Sequence, residues 1–167
     1  MDNFFTNNHN SNIFSIKIKQ SLPIVIYPHP ILRQKTEDIK DPTKPEIQQL
    51  IQSMLITMKN NNGLGLAAPQ INQAKNLCVI DFQNKIYILI NPKITFFSQE
   101  KNVAEEGCLS FPGKFLNVKR SNKISLQYLT VSGKRKKLMA EGMLARIIQH
   151  EVDHLQGKLF IDYTNSK

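Results

Sequence analysis

Gln149-His150-Glu151-Val152-Asp153-His154 is the stretch whose reading decides how this chain folds. Two histidines lie four residues apart with a glutamate between them, an H-E-x-x-H pattern. On a helix, positions i and i+4 put both imidazoles one turn apart on one face. There they can grip one divalent ion, and the intervening carboxylate can act as a base on an activated water. Upstream, Met143 and Ile147 precede His150 and His154 at i, i+4, i+7 and i+11. The histidine pair therefore continues an apolar stripe, and the spacing predicts a helix over about residues 141–156 with that stripe facing inward. The plain alternative is a pair of core histidines satisfied by hydrogen bonds.

A third ligand decides the chemistry. The longer H-E-x-x-H-x-x-G-x-x-H pattern requires a histidine where Phe160 stands. A ligand glutamate on a later helix is excluded, because no glutamate follows His154. Of the other histidines, His9 lies in an Asn-rich segment and His29 between two prolines. Cys108, in Glu106-Gly107-Cys108-Leu109-Ser110, is the best remaining candidate. Gly107 beside it lets backbone pack closely against a site. A small buried hydrophobe is the alternative reading of that cysteine. Together Cys108, His150 and His154 suggest a metal hydrolase with a Cys-His-His ligand set. Two competing readings remain. A metal-dependent endopeptidase fits H-E-x-x-H alone but lacks a third His or Glu. A noncatalytic basic protein with a structural metal needs a fourth protein ligand, and no good candidate is visible.

The 167 residues, 41% of them hydrophobic, are enough for one domain with a sizeable core. Residues 1–20, Asn-rich over 2–12, read as a flexible arm, and residues 21–167 as one catalytic domain. No apolar run is long enough to span a bilayer, so no membrane partner is expected. The start lacks the features of a secretory signal. Lys17 and Lys19 without an arginine lend little support to an organelle transit segment. Two cysteines are too few for a disulfide framework, which places the chain in a reducing compartment. Bacterial-type cytoplasm is the first reading, and a plastid or mitochondrion the alternative. Cys78, in Leu77-Cys78-Val79-Ile80, reads as an inert buried thiol.

The net charge of +9 favours acidic partners such as nucleic acid or a ribosome surface, against the plain reading of a solvated basic exterior. Basic residues cluster at Lys114, Lys119, Arg120 and Lys123, and at Lys134-Arg135-Lys136-Lys137. No aromatic interleaving marks a base-stacking platform, so no sequence-specific nucleic acid is expected.

The segment 23–33 is punctuated by prolines and cannot be a central strand, which makes His29 a turn residue. Thr43-Lys44-Pro45-Glu46 reads as a capping box with Thr43 as N-cap. The helix after it carries Ile47, Leu50, Ile51, Met54, Leu55 and Met58 on one stripe and stops at Asn60-Asn61-Asn62-Gly63. Residues 77–82 and 85–91 read as a hairpin around Gln83-Asn84, with 94–97 continuing the sheet. Residues 123–131 turn at Ser132-Gly133 into 134–139. The pattern is α+β, with no repeat or linker inside it.

Three segments occur in an order that resembles the peptide deformylases. They are Gly63-Leu64-Gly65-Leu66-Ala67-Ala68-Pro69-Gln70, Glu106-Gly107-Cys108-Leu109-Ser110 and Gln149-His150-Glu151-Val152-Asp153-His154. Tyr27-Pro28-His29-Pro30-Ile31-Leu32-Arg33 and Leu155-Gln156-Gly157-Lys158-Leu159-Phe160 fit as well, so the resemblance covers about residues 23–163. It implies a single domain with antiparallel sheets around the metal-bearing helix. It implies removal of the formyl group from the N-terminal formyl-methionine of new polypeptides, releasing formate. The implied cofactor is one divalent ion, Fe(II) first, with Zn(II), Ni(II) or Co(II) able to take the site.

Cys108, His150 and His154 are then the ligands and Glu151 the general base. The side-chain amide of Gln70 and the backbone N–H of Leu109 are the implied oxyanion donors. The alternative for Gln70 is an amide that merely stabilises its loop. Gly63, Leu64, Gly65 and Gly107 would contact the peptide, which could pair with the glycine loop as an added strand; plain turns are the alternative for the glycines. Met143 and Ile147 are candidate walls of the methionine pocket, with ordinary core packing as the alternative. An ion pair of Glu106 and Arg120 would brace the Cys108 loop. Two departures stand out. Phe115 occupies a position where many bacterial members carry a substrate-touching arginine. The C-terminal helix by which bacterial members often dock on the ribosome has no counterpart, so ribosome binding would fall to the basic residues.

Overall fold

The structure, a computed structural model, describes residues 20–163. The arm expected over residues 1–20 lies, apart from Gln20, outside the described residues. Seven strands and two α-helices follow a proline-rich lead-in: α1 (Pro45–Asn60), β1 (Gly65–Ala67), β2 (Leu77–Phe82), β3 (Lys85–Phe97), β4 (Lys101–Gly107), β5 (Phe115–Ser121), β6 (Lys123–Leu129), β7 (Arg135–Glu141) and α2 (Gly142–Leu155). The lead-in has no strand, as its prolines require. His29 caps a short 3-10 turn at Pro30–Arg33, its Nδ1 accepting from Ile31 N at 3.3 Å.

Helix α1 starts later than expected. Lys44, not Thr43, is its N-cap, and no side chain caps it. Pro45, with φ pre-set and no N–H to satisfy, takes the first helical position and leaves Thr43 outside. Thr43 instead closes a local turn, its N and Oγ1 both donating to Asp41 Oδ1. The predicted stripe holds: Ile47, Ile51, Met54 and Met58 are buried, and Leu50 and Leu55 pack at its margin.

Strands β1-β2-β3-β6-β7, in that order, form a fully antiparallel sheet. The β2–β3 hairpin turns on Gln83 and Asn84, both with φ positive (52° and 60°), the two-residue geometry that matches strand twist. Residues 94–97 continue the sheet as expected, as the end of β3, one 13-residue strand whose pairing with β6 shifts register near Asn91. The Asn91 side chain exchanges two 2.9 Å hydrogen bonds with the Ile39 backbone and anchors that irregularity.

Strand β2 is buried on both faces. Leu77 and Val79 join the α1 core with Leu66 and Ile90. Cys78 and Ile80 join the α2 core with Leu89, Ile124, Leu126, Ala145 and Ile148. Each buried Val, Leu or Ile among them contributes about 1.5–3 kcal/mol by leaving water. Cys78 is fully buried, as expected, and burial first, then the charge of Glu151, pushes its thiol pKa well up. Strands β4 and β5 pair in a second, two-stranded antiparallel sheet. Helix α2 runs against both sheets, with neighbours in β1, β2, β5, β6 and β7. Among the described residues no helix is long and apolar enough to cross a membrane.

Candidate metal centre

Cys108 follows the last residue of β4, where the chain turns back with Phe111 N donating to Cys108 O at 2.9 Å. Tyr27 N donates to Ser110 O and ties the proline-rich lead-in to this turn. His150 and His154 project from α2. One potential ligand atom from each of Cys108, His150 and His154 lies within 4.8 Å of the others. The Cys108 Sγ to His154 Nε2 distance is 3.3 Å. Metal–ligand bonds of about 2.0–2.3 Å place neighbouring ligand atoms roughly 3.5 Å apart, so the separation suits a shared ion. Both histidines are buried, and His154 Nδ1 has no hydrogen-bond partner among the described residues. A thiol and two imidazoles are a donor set that fits a divalent transition ion.

Glu106 organises the surroundings. His150 Nδ1–H donates to its Oε2 at 2.9 Å, so Nε2 is the nitrogen free for a ligand bond. The Glu106–Arg120 ion pair that the resemblance implies is present, and it is bidentate, with Arg120 Nε and Nη2 each 2.9 Å from a Glu106 oxygen. Arg120 also reaches Asp153 and Tyr163, and Tyr163 Oη donates to Asp153 at 2.8 Å. Arg120 is therefore buried in this network and leaves the surface cluster in which its sequence neighbours placed it.

Burial alone would raise the Glu106 pKa, but the Arg120 guanidinium and His150 outweigh it and bring it to about 2. Burial works against charge on His150, yet the Cys108 sulfur and the Glu106 carboxylate raise it to about 10. Burial, then the nearby His150, drives His154 well below the ordinary imidazole value. A cation in the centre takes the place of protons there, so ion binding releases protons.

Glu151 is buried, and burial raises its carboxyl pKa to about 7. Its Oε2 has no partner among the described residues. The side chain lies over Gly65, where an added Cβ would fall 2.8 Å from Glu151 Cδ and 2.9 Å from Cγ. Gln70 is also buried and serves at both ends. Its Oε1 accepts from Ala67 N at 2.8 Å and braces the loop, while Nε2 points at Cys108 Sγ (3.5 Å) and Ser110 Oγ (3.4 Å). The loop-stabilising reading of Gln70 thus accounts for one end of the amide only. No hydrogen bond engages the Leu109 N–H among the described residues.

A cavity of about 650 Å³ opens beside these groups. Gly63, Leu64, Gly65, Gly107, Met143 and Ile147 all line it, together with Gln70, Cys108, Leu109, His150 and Glu151. The α2 stripe is less uniformly inward than its spacing suggests. Ile147 is buried, whereas Met143, in the first turn of the helix, lines the cavity and is 49% exposed. Phe115 is exposed and packs its ring on Gly107, 2.7 Å from where a Cβ would stand. One buried polar residue at the site was not singled out from the sequence. Arg146 donates to Glu106 Oε1 at 2.7 Å from the turn preceding His150. A lone arginine between Ala145 and Ile147, four residues before a ligand candidate, is the signal that could have marked it.

The family model for polypeptide deformylase matches residues 21–167. A peptide deformylase of Rhizobium meliloti is 42% identical over 146 residues, spanning 84% of this chain and 83% of that protein. The crystal structure of the deformylase of Synechococcus elongatus, in complex with actinonin, superposes with a TM-score of 0.84 at 40% identity, covering 87% of this chain and 80% of the other. A class I type b deformylase of Acinetobacter baumannii bound to Met-Ala-Ser gives a TM-score of 0.83 at 32% identity, over 87% of this chain and 99% of that one.

Proposed function

The chain belongs to the polypeptide deformylase family, and we propose that it removes the N-terminal formyl group of new polypeptides with a divalent ion held by Cys108, His150 and His154. The observation that carries this reading is their convergence within 4.8 Å beside the unpartnered carboxyl oxygen of Glu151. The native ion is Fe(II), and Zn(II), Ni(II) and Co(II) suit the same thiolate and imidazole donors. When bound, the ion polarises the formyl carbonyl and lowers the pKa of water.

The chain's own groups do the rest. Glu151 takes the proton of the attacking water and hands it to the departing amine, a task suited to a carboxyl with a pKa of about 7. Gln70 Nε2 and the Leu109 N–H receive the developing oxyanion; one such donor is worth roughly 3–4 kcal/mol. The methionine side chain lies against Leu64, Met143 and Ile147. Strand β1 is at the sheet edge, so an extended peptide can add to it. A relative binds Met-Ala-Ser, a peptide of the expected class. Formate release from formyl-Met peptides, by protein purified without oxygen and loaded with Fe(II), Ni(II) or Co(II), tests this reading. Casein cleavage without formate release would make the chain an endopeptidase instead.

Gly65→Ala probes Glu151 without touching it. The new methyl displaces the carboxyl, and a shift of about 1 Å in a reacting group costs on the order of 100-fold in rate. We expect kcat to fall by about that factor with metal content near wild type, and the melting temperature to drop by the few degrees that about 1–3 kcal/mol of overpacking produces.

The ribosome is the proposed acidic partner. Lys134, Arg135, Lys136 and Lys137 are exposed at the β6–β7 turn and on the edge strand β7, and none pairs with an acid among the described residues. Neutralising all four should abolish co-sedimentation with ribosomes at low salt and leave formate release from short peptides unchanged. Unchanged co-sedimentation would remove this role.

A further inference from the structure

Two guanidinium groups hold Glu106, and only one comes from its own sheet. Arg120 lies on β5, paired with β4. Arg146 comes from α2, one turn before His150, and is 4% exposed. Its Nη1 donates to Glu106 Oε1 at 2.7 Å, Val118 O at 2.8 Å and Ala104 O at 3.4 Å. Its Nη2 donates to Asn102 O at 3.0 Å and to Asn102 Oδ1. Asn102, Ala104 and Glu106 belong to β4, and Val118 to β5. One side chain of the histidine-bearing helix therefore grips both strands of the sheet that leads into Cys108.

Apolar packing at residue 146 would join helix to sheet without the cost of burying a charge. What the charge adds is orientation. Arg146 and Arg120 Nε both engage Glu106 Oε1, which leaves Oε2 to Arg120 Nη2 and His150 Nδ1. A carboxylate fixed in this way keeps the His150 proton on Nδ1 and the lone pair on Nε2. The geometry points to Arg146 as a positioning residue of the metal centre, one that sets the spacing between Cys108 and the two histidines and locks Glu106 onto His150. This inference rests on those three residues being the ligands.

Outer-shell partners of this kind are typically worth 10- to 100-fold in metal affinity. The test compares wild type, Arg146→Gln, Arg146→Lys and Asn102→Ala, each loaded with Co(II). Co(II) affinity is measured by chelator competition, alongside the thiolate-to-Co(II) absorption band. Arg146→Gln should bind Co(II) about 10- to 100-fold more weakly, with an altered band. Arg146→Lys should recover part of the affinity, because it keeps the cation beside Glu106 but cannot reach Asn102 and Val118 together. Asn102→Ala keeps the Arg146 charge, removes one anchor and should show a smaller loss; it serves if Arg146→Gln does not fold. A purely structural Arg146 would lower the melting temperature and leave affinity and band at wild-type values, overturning the inference. Absence of the band in the wild type would overturn the ligand set itself, a separate failure.

Discussion

Glu151→Gln should lower kcat by about 100- to 10,000-fold, the usual range for a positioned acid–base group, while ion content stays at wild-type level. The amide keeps the shape that fits over Gly65 but can no longer take a proton from water. In the wild type, kcat/KM should rise with pH as the Glu151 carboxyl ionises, since only the carboxylate is a base. Burial sets that limb near 7, and a bound cation, by favouring the carboxylate, moves it lower. The limb should vanish in Glu151→Gln. A variant with full turnover and an intact limb would take the base role away from Glu151. Metal analysis on the same samples separates a lost base from a lost ion.

Cys108→Ala should lose both the ion and the activity. Two histidines one turn apart remain, but the thiolate that supplies negative charge to the set is gone. Ligand binding to the folded state alone stabilises it by about 2.7 kcal/mol at a free-ion concentration of 100 Kd. Wild-type protein should therefore melt lower after chelation and recover when Ni(II) or Co(II) is returned. In Cys108→Ala the melting temperature should be the same with and without added ion. An ion-dependent shift of wild-type size in the variant would show that the sulfur is not a ligand.

Much of this arrangement is legible in the sequence, where a period does the work. Helix α2 shows itself by the stripe Met143, Ile147, His150 and His154, and α1 by Ile47, Ile51, Met54 and Met58. The β2–β3 hairpin shows itself by two apolar runs around Gln83-Asn84. Strand β4 escapes because it is short of apolar residues: it reads KNVAEEG, and only Glu106 is buried in it. Strand β5 escapes because its buried positions include Arg120 and Ser121, which break the apolar alternation. A buried carboxylate is a tertiary fact, created when Arg120, Arg146 and His150 arrive from elsewhere in the chain. For the same reason Arg120 looks like part of a basic surface cluster until Glu106 and Asp153 surround it. The N-cap of α1 shifts from Thr43 to Lys44 through Pro45, a local rule that outranks the capping-box spacing. The three ordered motifs name the family, but Arg146 lies outside all of them. It emerges only from the distances that join α2 to the second sheet.

The central claim is that one sulfur and two imidazole nitrogens share a cation. Anomalous diffraction at the nickel edge, from crystals grown with excess Ni(II), tests it most directly. The account predicts a single strong peak in bonding contact with Cys108 Sγ and with Nε2 of both His150 and His154. A map with no peak among those three atoms would contradict it.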